Sequence, residues 1–179
     1  MSQLKGSNGK LAEVDDNNRL QTYATVQNLE QTLLFQGLLS SVFFQVTPAA
    51  ANDYFFYIKN TGVVDIGFNF VAMSSTVATK VLIESVTGTP VYVAEADAEV
   101  TNLNLASPLS PAMDAIYDAD ITGLDRVGHL AMLEAAIDTI NVSTALGGVI
   151  IPQGKAVAFK RVEATGLLTM NLSVGVLSF

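Results

Sequence analysis

This sequence predicts a mainly β fold: an antiparallel β-sandwich or barrel, preceded by an extended N-terminal arm and a short helix. Short runs of β-branched and aromatic residues recur roughly every ten to fifteen positions, with no long helix between them. Clusters of Gly, Pro and Asn separate the runs and supply turn chemistry. The last run, LLTMNLSVGVLSF, sets Leu168, Met170, Leu172, Val174 and Val176 on one face, and Thr169, Asn171, Ser173 and Gly175 on the other. A period of two marks a strand with one face in a core.

Residues 1–25 form the arm. They are polar and rich in Gly, Asn and Asp, with apolar positions only scattered at Leu4, Leu11, Val14 and Leu20, too few to bury a core. Such a segment either orders against something else or remains a tail. Asn8-Gly9 and Asp16-Asn17-Asn18 favour short extended pieces joined by turns. Residues 26–179 form a single β domain. In TVQNLEQTLLFQGLL, Val26, Leu29, Leu33 and Leu34 have helical spacing, and Gly37 suits a C-terminal stop. A short helix near 27–37 is the expectation.

Then the period changes. SVFFQV (41–46), DYFFYIKN (53–60) and VDIGFNFVAM (64–73) read as strands, with turns at Pro48–Asp53 and Asn60-Thr61-Gly62. TKVLIESVTGTPV (79–91) reads as a strand ending in a Thr-Gly-Thr-Pro turn, with Gly88 and Pro90 as turn residues. GGVIIPQGKAVAFKRV supplies another run, with turns at Gly147-Gly148 and Gly154, before the closing strand. DRVGHLAMLEAAIDTI (125–140) is ambiguous, because Leu130, Leu133, Ala136, Ile137 and Ile140 favour helix while its tail looks like strand. The aromatics Phe43, Phe44, Tyr54, Phe55, Phe56 and Tyr57 are too dense for alternation alone. They fill a thick core or point to a subunit interface, and the core is the more common arrangement.

Composition narrows the function. Half of the residues are hydrophobic and 15% are charged, below the roughly 25% of an average domain. Either a partner covers part of the surface, or the surface is small and rich in Ser, Thr and Asn. Net charge is −8, and from Glu84 to Asp138 there are ten acidic side chains against one basic, Arg126. No cluster of Lys and Arg exists to displace phosphate counterions, so nucleic acid is not an expected partner. Without cysteine there are no disulfides, thiol nucleophiles or Cys-ligated metals. The N-terminus lacks an apolar signal core and no long apolar run follows, so the expectation is a soluble chain with no membrane partner.

Little catalytic chemistry is legible, and no enzyme activity and no cofactor are expected. The single histidine, His129, lies in an apolar neighbourhood, and no Gly-x-Ser-x-Gly elbow surrounds any serine. A packed or surface histidine is the expectation. Asp114, Asp118 and Asp120 could serve glycoside hydrolysis or calcium, yet the segment lacks the glycine and terminal glutamate of a calcium loop. A solvated acidic loop is expected there. Neither a Walker pattern nor Gly-x-Gly-x-x-Gly occurs.

Three stretches carry a resemblance. They are NGKLAEVDDNNRLQTYATVQNLEQ, the pair FFYIKNTGVVDIGFNF with its YIKN strand, and GGVIIPQGKAVAFKRVEATGLLTMNLSVGVLSF with a Pro-x-Gly-Lys turn before the last two strands. Together they resemble tailed-bacteriophage virion proteins of the capsid decoration or cement type, which are jelly-roll trimers. The resemblance implies a jelly-roll-like sandwich and an extended segment over 128–145, which favours the strand reading there.

It also implies a structural protein on the outer face of a phage head, assembled in the host cytoplasm. Its partners would be the major capsid protein and two further copies in a homotrimer. The arm would reach across neighbouring capsid subunits, with Leu4, Leu11, Val14, Arg19, Leu20 and Tyr23 as candidate contacts. The alternative is a tail, baseplate or head-fibre component that binds host glycans, using Asp114 to Asp120 and the tyrosines. A glycan hydrolase built on two acids, Asp118 among them, is the third reading.

Overall fold

Strands form where the sequence alternates or runs apolar, and the computed structural model describes residues 3–5, 11–14, 20–21, 36–138, 140–143, 148–163 and 166–177. Three short strands, β1 (Gln3–Lys5), β2 (Leu11–Val14) and β3 (Leu20–Gln21), make an antiparallel N-terminal sheet. Then come β4 (Leu39–Val46), β5 (Tyr54–Asn60), β6 (Asp65–Ser75), β7 (Thr79–Tyr92), β8 (Ala96–Asp97) and β9 (Glu99–Asn102). The chain closes with β10 (Met113–Ala135), β11 (Ile140–Ser143), β12 (Val149–Ile151), β13 (Ala156–Arg161) and β14 (Leu168–Leu177). The protein is therefore mainly β, and no helix occurs among the described residues. Of the expected helix near 27–37, residues 27–35 lie outside them, and Gln36 and Gly37 form a turn.

Two larger antiparallel sheets share one core. Sheet I has the order β11-β6-β14-β4-β9, with β12 also on β6; sheet II has the order β5-β13-β7-β10-β8. Phe44, Phe68, Met73, Leu168, Met170 and Leu172 of sheet I pack with Phe55, Phe56, Ile58, Ile83 and Phe159 of sheet II. Phe44 stacks on Phe56 across the sheets at 4.3 Å between ring centres. Each fully buried ring of this kind contributes about 1.5–3 kcal/mol through burial alone. The dense aromatics are thus mostly core, with only Phe43 exposed at 38%.

Sheet II also closes on itself. β10 pairs with β5 along Met113–Tyr117 and with β7 along Ile121–Ala135, so the path β5-β13-β7-β10 returns to β5. All four strands of this ring contribute to a second, smaller cluster: Tyr57 with Tyr54, Val86 with Tyr92, Ile121 with Leu124, and Ala156 with Ala158. Covered on both faces, β5 loses the alternation of a half-buried strand, and Phe55 to Ile58 are all buried.

Several sequence expectations need correction. The Thr-Gly-Thr-Pro stretch is not a turn; β7 continues through it to Tyr92. Gly88, opposite Leu124, adopts φ +97°, and the neighbouring Gly123 adopts φ +75°; a Cβ on Gly88 would stand 2.4 Å from the Gly123 carbonyl oxygen. The ladder slips between Thr122 and Leu124 at this contact, so the glycines make a bulge that curls the hairpin. Pro90 fits in that interruption, where a missing N–H costs nothing.

The segment 125–135 is strand despite its helical propensity, because β10 is held in register from Asp125 opposite Thr87 to Ala135 opposite Thr79. The acidic stretch Asp114–Asp120 is likewise strand and not loop. In β14, Leu168, Met170, Leu172 and Val174 are buried as expected. Val176, however, is only half-buried, and Leu177 packs instead with Leu39 in a separate cluster.

Candidate functional site

The register of β10 on β7 places the only histidine, His129, opposite Glu84, while β13 places Ala158 on the other flank of Glu84. Glu84 is 1% exposed and the His129 side chain 52%. Tyr54 of β5 donates its hydroxyl to Glu84 Oε2 at 2.5 Å. His129 Nδ1 lies 2.7 Å from Glu84 Oε1, and Arg126 Nη1 lies 2.9 Å from His129 Nε2. A guanidinium only donates, so Nε2 accepts and the ring proton belongs on Nδ1, facing the carboxylate. Among the described residues, this imidazole contact is the only one that Oε1 has with a donor.

The result is a chain of contacts from Tyr54 through Glu84 and His129 to Arg126, tying β5, β7 and β10 together. Burial, then the Glu84 hydrogen bond and charge, hold the Tyr54 hydroxyl above its ordinary pKa, with Arg126 pulling the other way. The Lys160 ammonium lies 5.3 Å from the centre of the Tyr54 ring. Both nitrogens of His129 are engaged, so in this geometry it offers no free base. The expected surface histidine is therefore placed, and what it does is hold a buried carboxylate.

The carboxylates of Asp114, Asp118 and Asp120 do not act as a unit. Asp118 is buried, and its Oδ2 accepts from the amides of Val93 and Ala94, the latter at 2.8 Å. Its Oδ1 accepts from the amide of Ala119 at 2.6 Å. β8 continues the register of β7 along β10, with Tyr92 opposite Ile121 and Ala96 opposite Tyr117, and the interruption at Val93–Glu95 is where Asp118 intervenes. Asp114 is exposed. Burial, then Asp53 and Asp118, push the Asp120 carboxyl above the ordinary carboxylate range. Tyr92 is raised first by burial and then by Tyr57, Glu95, Asp114 and Asp118, and among the described residues its hydroxyl has no hydrogen-bond partner. Among the described residues, no group of three or more His, Asp or Glu could hold a metal ion.

Of the candidate arm contacts, Leu4 lies in β1, Leu11 and Val14 in β2, and Leu20 in β3. Leu4 is opposite Ala12, Leu11 opposite Lys5, and Val14 opposite Leu20. Arg19 and Tyr23 lie outside the described residues. The extended pieces expected for the arm are present, and they pair with one another.

Sequence reasoning missed a surface. Val127, Leu130 and Met132 of β10, with Ile150 of β12, are exposed. Val127, Leu130, Ile150 and Pro152 line a groove of about 290 Å³ together with buried Val86 and Val157. A signal existed. The apolar residues of 127–135 fall at both parities, so a strand there must expose one set. It also missed the Tyr54–Glu84–His129 contacts, because residues far apart in sequence meet only through the ladders. No known protein family, no curated protein and no solved structure matches this chain.

Proposed function

We propose that the chain is a non-enzymatic virion structural protein, a capsid decoration or cement protein of a tailed phage, built on a jelly-roll sandwich. The observation that carries this reading is the strand order. β4, β14, β6 and β11/β12 lie side by side in sheet I, and β5, β13, β7 and β10 in sheet II. Successive strands from β4 to β7 alternate between the sheets, as in two interlocked Greek keys. That order supports the jelly roll implied by the resemblance of the YIKN and Pro-x-Gly-Lys stretches, which here form β5 and the turn into β13.

Further support comes from how the polar groups are used. Glu84, His129 and Asp118 brace strands against one another, which suits a protein that bears load. The N-terminal strands supply an assembly arm able to add backbone pairing to a neighbouring subunit. Weak contacts repeated over a lattice of capsid subunits then accumulate through multivalency. Glycan binding at Asp114–Asp120 is the weaker reading, because the Asp118 carboxylate is already committed to three amides.

Phage heads lacking the protein provide the test. Added chain should bind them saturably on the outside, raise the temperature at which they rupture, and lose both effects when residues 1–25 are removed. Equal rupture temperatures with and without bound chain, or no binding, would overturn the proposal.

A further inference from the structure

The groove beside β10 is apolar and carries a cation. Lys155 lines it with Val127, Leu130, Ile150 and Pro152, and has no ion-pair partner among the described residues. Alongside, β12 pairs only with β6 among the described residues, so its outer edge is open. An exposed apolar face next to an open strand edge is an aggregation hazard unless something covers it.

The same chain carries a complementary segment. Between Val91 and Glu99, the exposed side chains of Val91 and Val93, the latter 84% exposed, are followed by exposed Glu95, Asp97 and Glu99. None of these carboxylates has an ion-pair partner among the described residues. Apolar side chains followed by acids match an apolar groove rimmed by a lysine.

We propose that the groove is the subunit contact of a closed homo-oligomer and takes the Val91–Glu99 segment of a second copy. The valines enter the groove and the carboxylates face Lys155. Groove and segment are different patches, so the contact is heterologous, and a ring of three copies fills every groove. This rests on the capsid reading above, whose family resemblance implies a homotrimer, and names the surface that would hold the copies together.

Light scattering after size exclusion tests it on the full chain. The wild type should be a trimer. Leu130→Asp, which spoils the groove, and Val93→Asp, which spoils the segment, should each be monomeric while keeping the wild-type circular dichroism. Mixed together, they should form a dimer and nothing larger, because one intact groove and one intact segment remain. Lys155→Glu should weaken the trimer at least tenfold, and adding Glu95→Lys with Asp97→Lys should restore it.

A trimer that survives Leu130→Asp overturns the proposal. So does a monomeric wild type whose binding to phage heads is lost in Leu130→Asp, since the groove would then face the shell. That second result leaves the capsid reading standing. The expected mutational pattern in a chain that ignores phage heads would do the reverse.

Discussion

Glu84 and His129 sit opposite each other on β7 and β10, with Oε1 and Nδ1 2.7 Å apart, although one side chain is buried and the other half exposed. Among the described residues the imidazole is the only donor near Oε1, so its removal leaves a buried carboxylate oxygen without a partner there. His129→Ala should lower Tm by about 3–5 °C, the low end for a lost buried partner because water can enter from the exposed side. Tyr54→Phe should have a similar effect through Oε2. Double substitution should cost less than the sum if the two contacts support one another, and thermal unfolding of the four proteins reads this directly.

Arg161 is fully buried, and its Nε donates to Thr79 Oγ1 at 2.9 Å and its Nη1 to the Gly166 carbonyl at 2.6 Å. Nη2 has no hydrogen-bond partner among the described residues, and burial lowers the guanidinium pKa. Arg161→Ala should destabilise by about 3–5 kcal/mol, through a cavity and the lost clamp on the turn into β14. Arg161→Met, which fills the space without a buried cation, should cost about 2 kcal/mol less. Urea unfolding separates the two; equal losses would mean that the charge itself is needed.

Two glycines with positive φ should respond differently to alanine. At Gly88 the new Cβ would meet backbone at 2.4 Å, whereas at Gly154, φ +71°, no described residue lies within 4 Å. Gly154→Ala should cost about 1–2 kcal/mol of backbone strain alone. Gly88→Ala should cost more, about 2–4 kcal/mol, because the bulge against Gly123 must open as well. Chemical denaturation of both variants checks the order.

Asp120 gives a pH prediction. Its folded pKa is raised, so the ionised form is less welcome in the fold than in the unfolded chain. The penalty is fully present above the folded pKa. It fades as pH falls through that value and is gone below the ordinary carboxylate pKa. Asp120→Asn should therefore raise Tm slightly at pH 7 and leave it unchanged near pH 3. A gain that persists in acid would point to packing instead of charge.

The sequence was most readable where one face of a strand meets the core and the other meets solvent. β14 satisfied that condition from Leu168 to Val174, and its alternation was visible directly. β5 could be read as strand, but its inward face could not be chosen, because the ring covers both sides. β10 resisted because Leu130, Leu133 and Glu134 are good helix formers, and only its ladder with β7 overrides them. The Thr87–Pro90 stretch misled for a related reason, since glycine and proline serve a bulge as well as a turn. Of the candidate chemistry, His129 stood out by being alone, but its partner Glu84 is invisible without the register.

The closure of sheet II has a mechanical consequence. Near its start, β10 is hydrogen-bonded to β5 on one flank and to β8 on the other, and farther on to β7. These bonds run across the strand, so a pull along β10 loads whole ladders in shear and shares the force among all of them. A pull across the ladder would instead open them one at a time, like a zipper. The molecule is thus anisotropic, toughest along one strand.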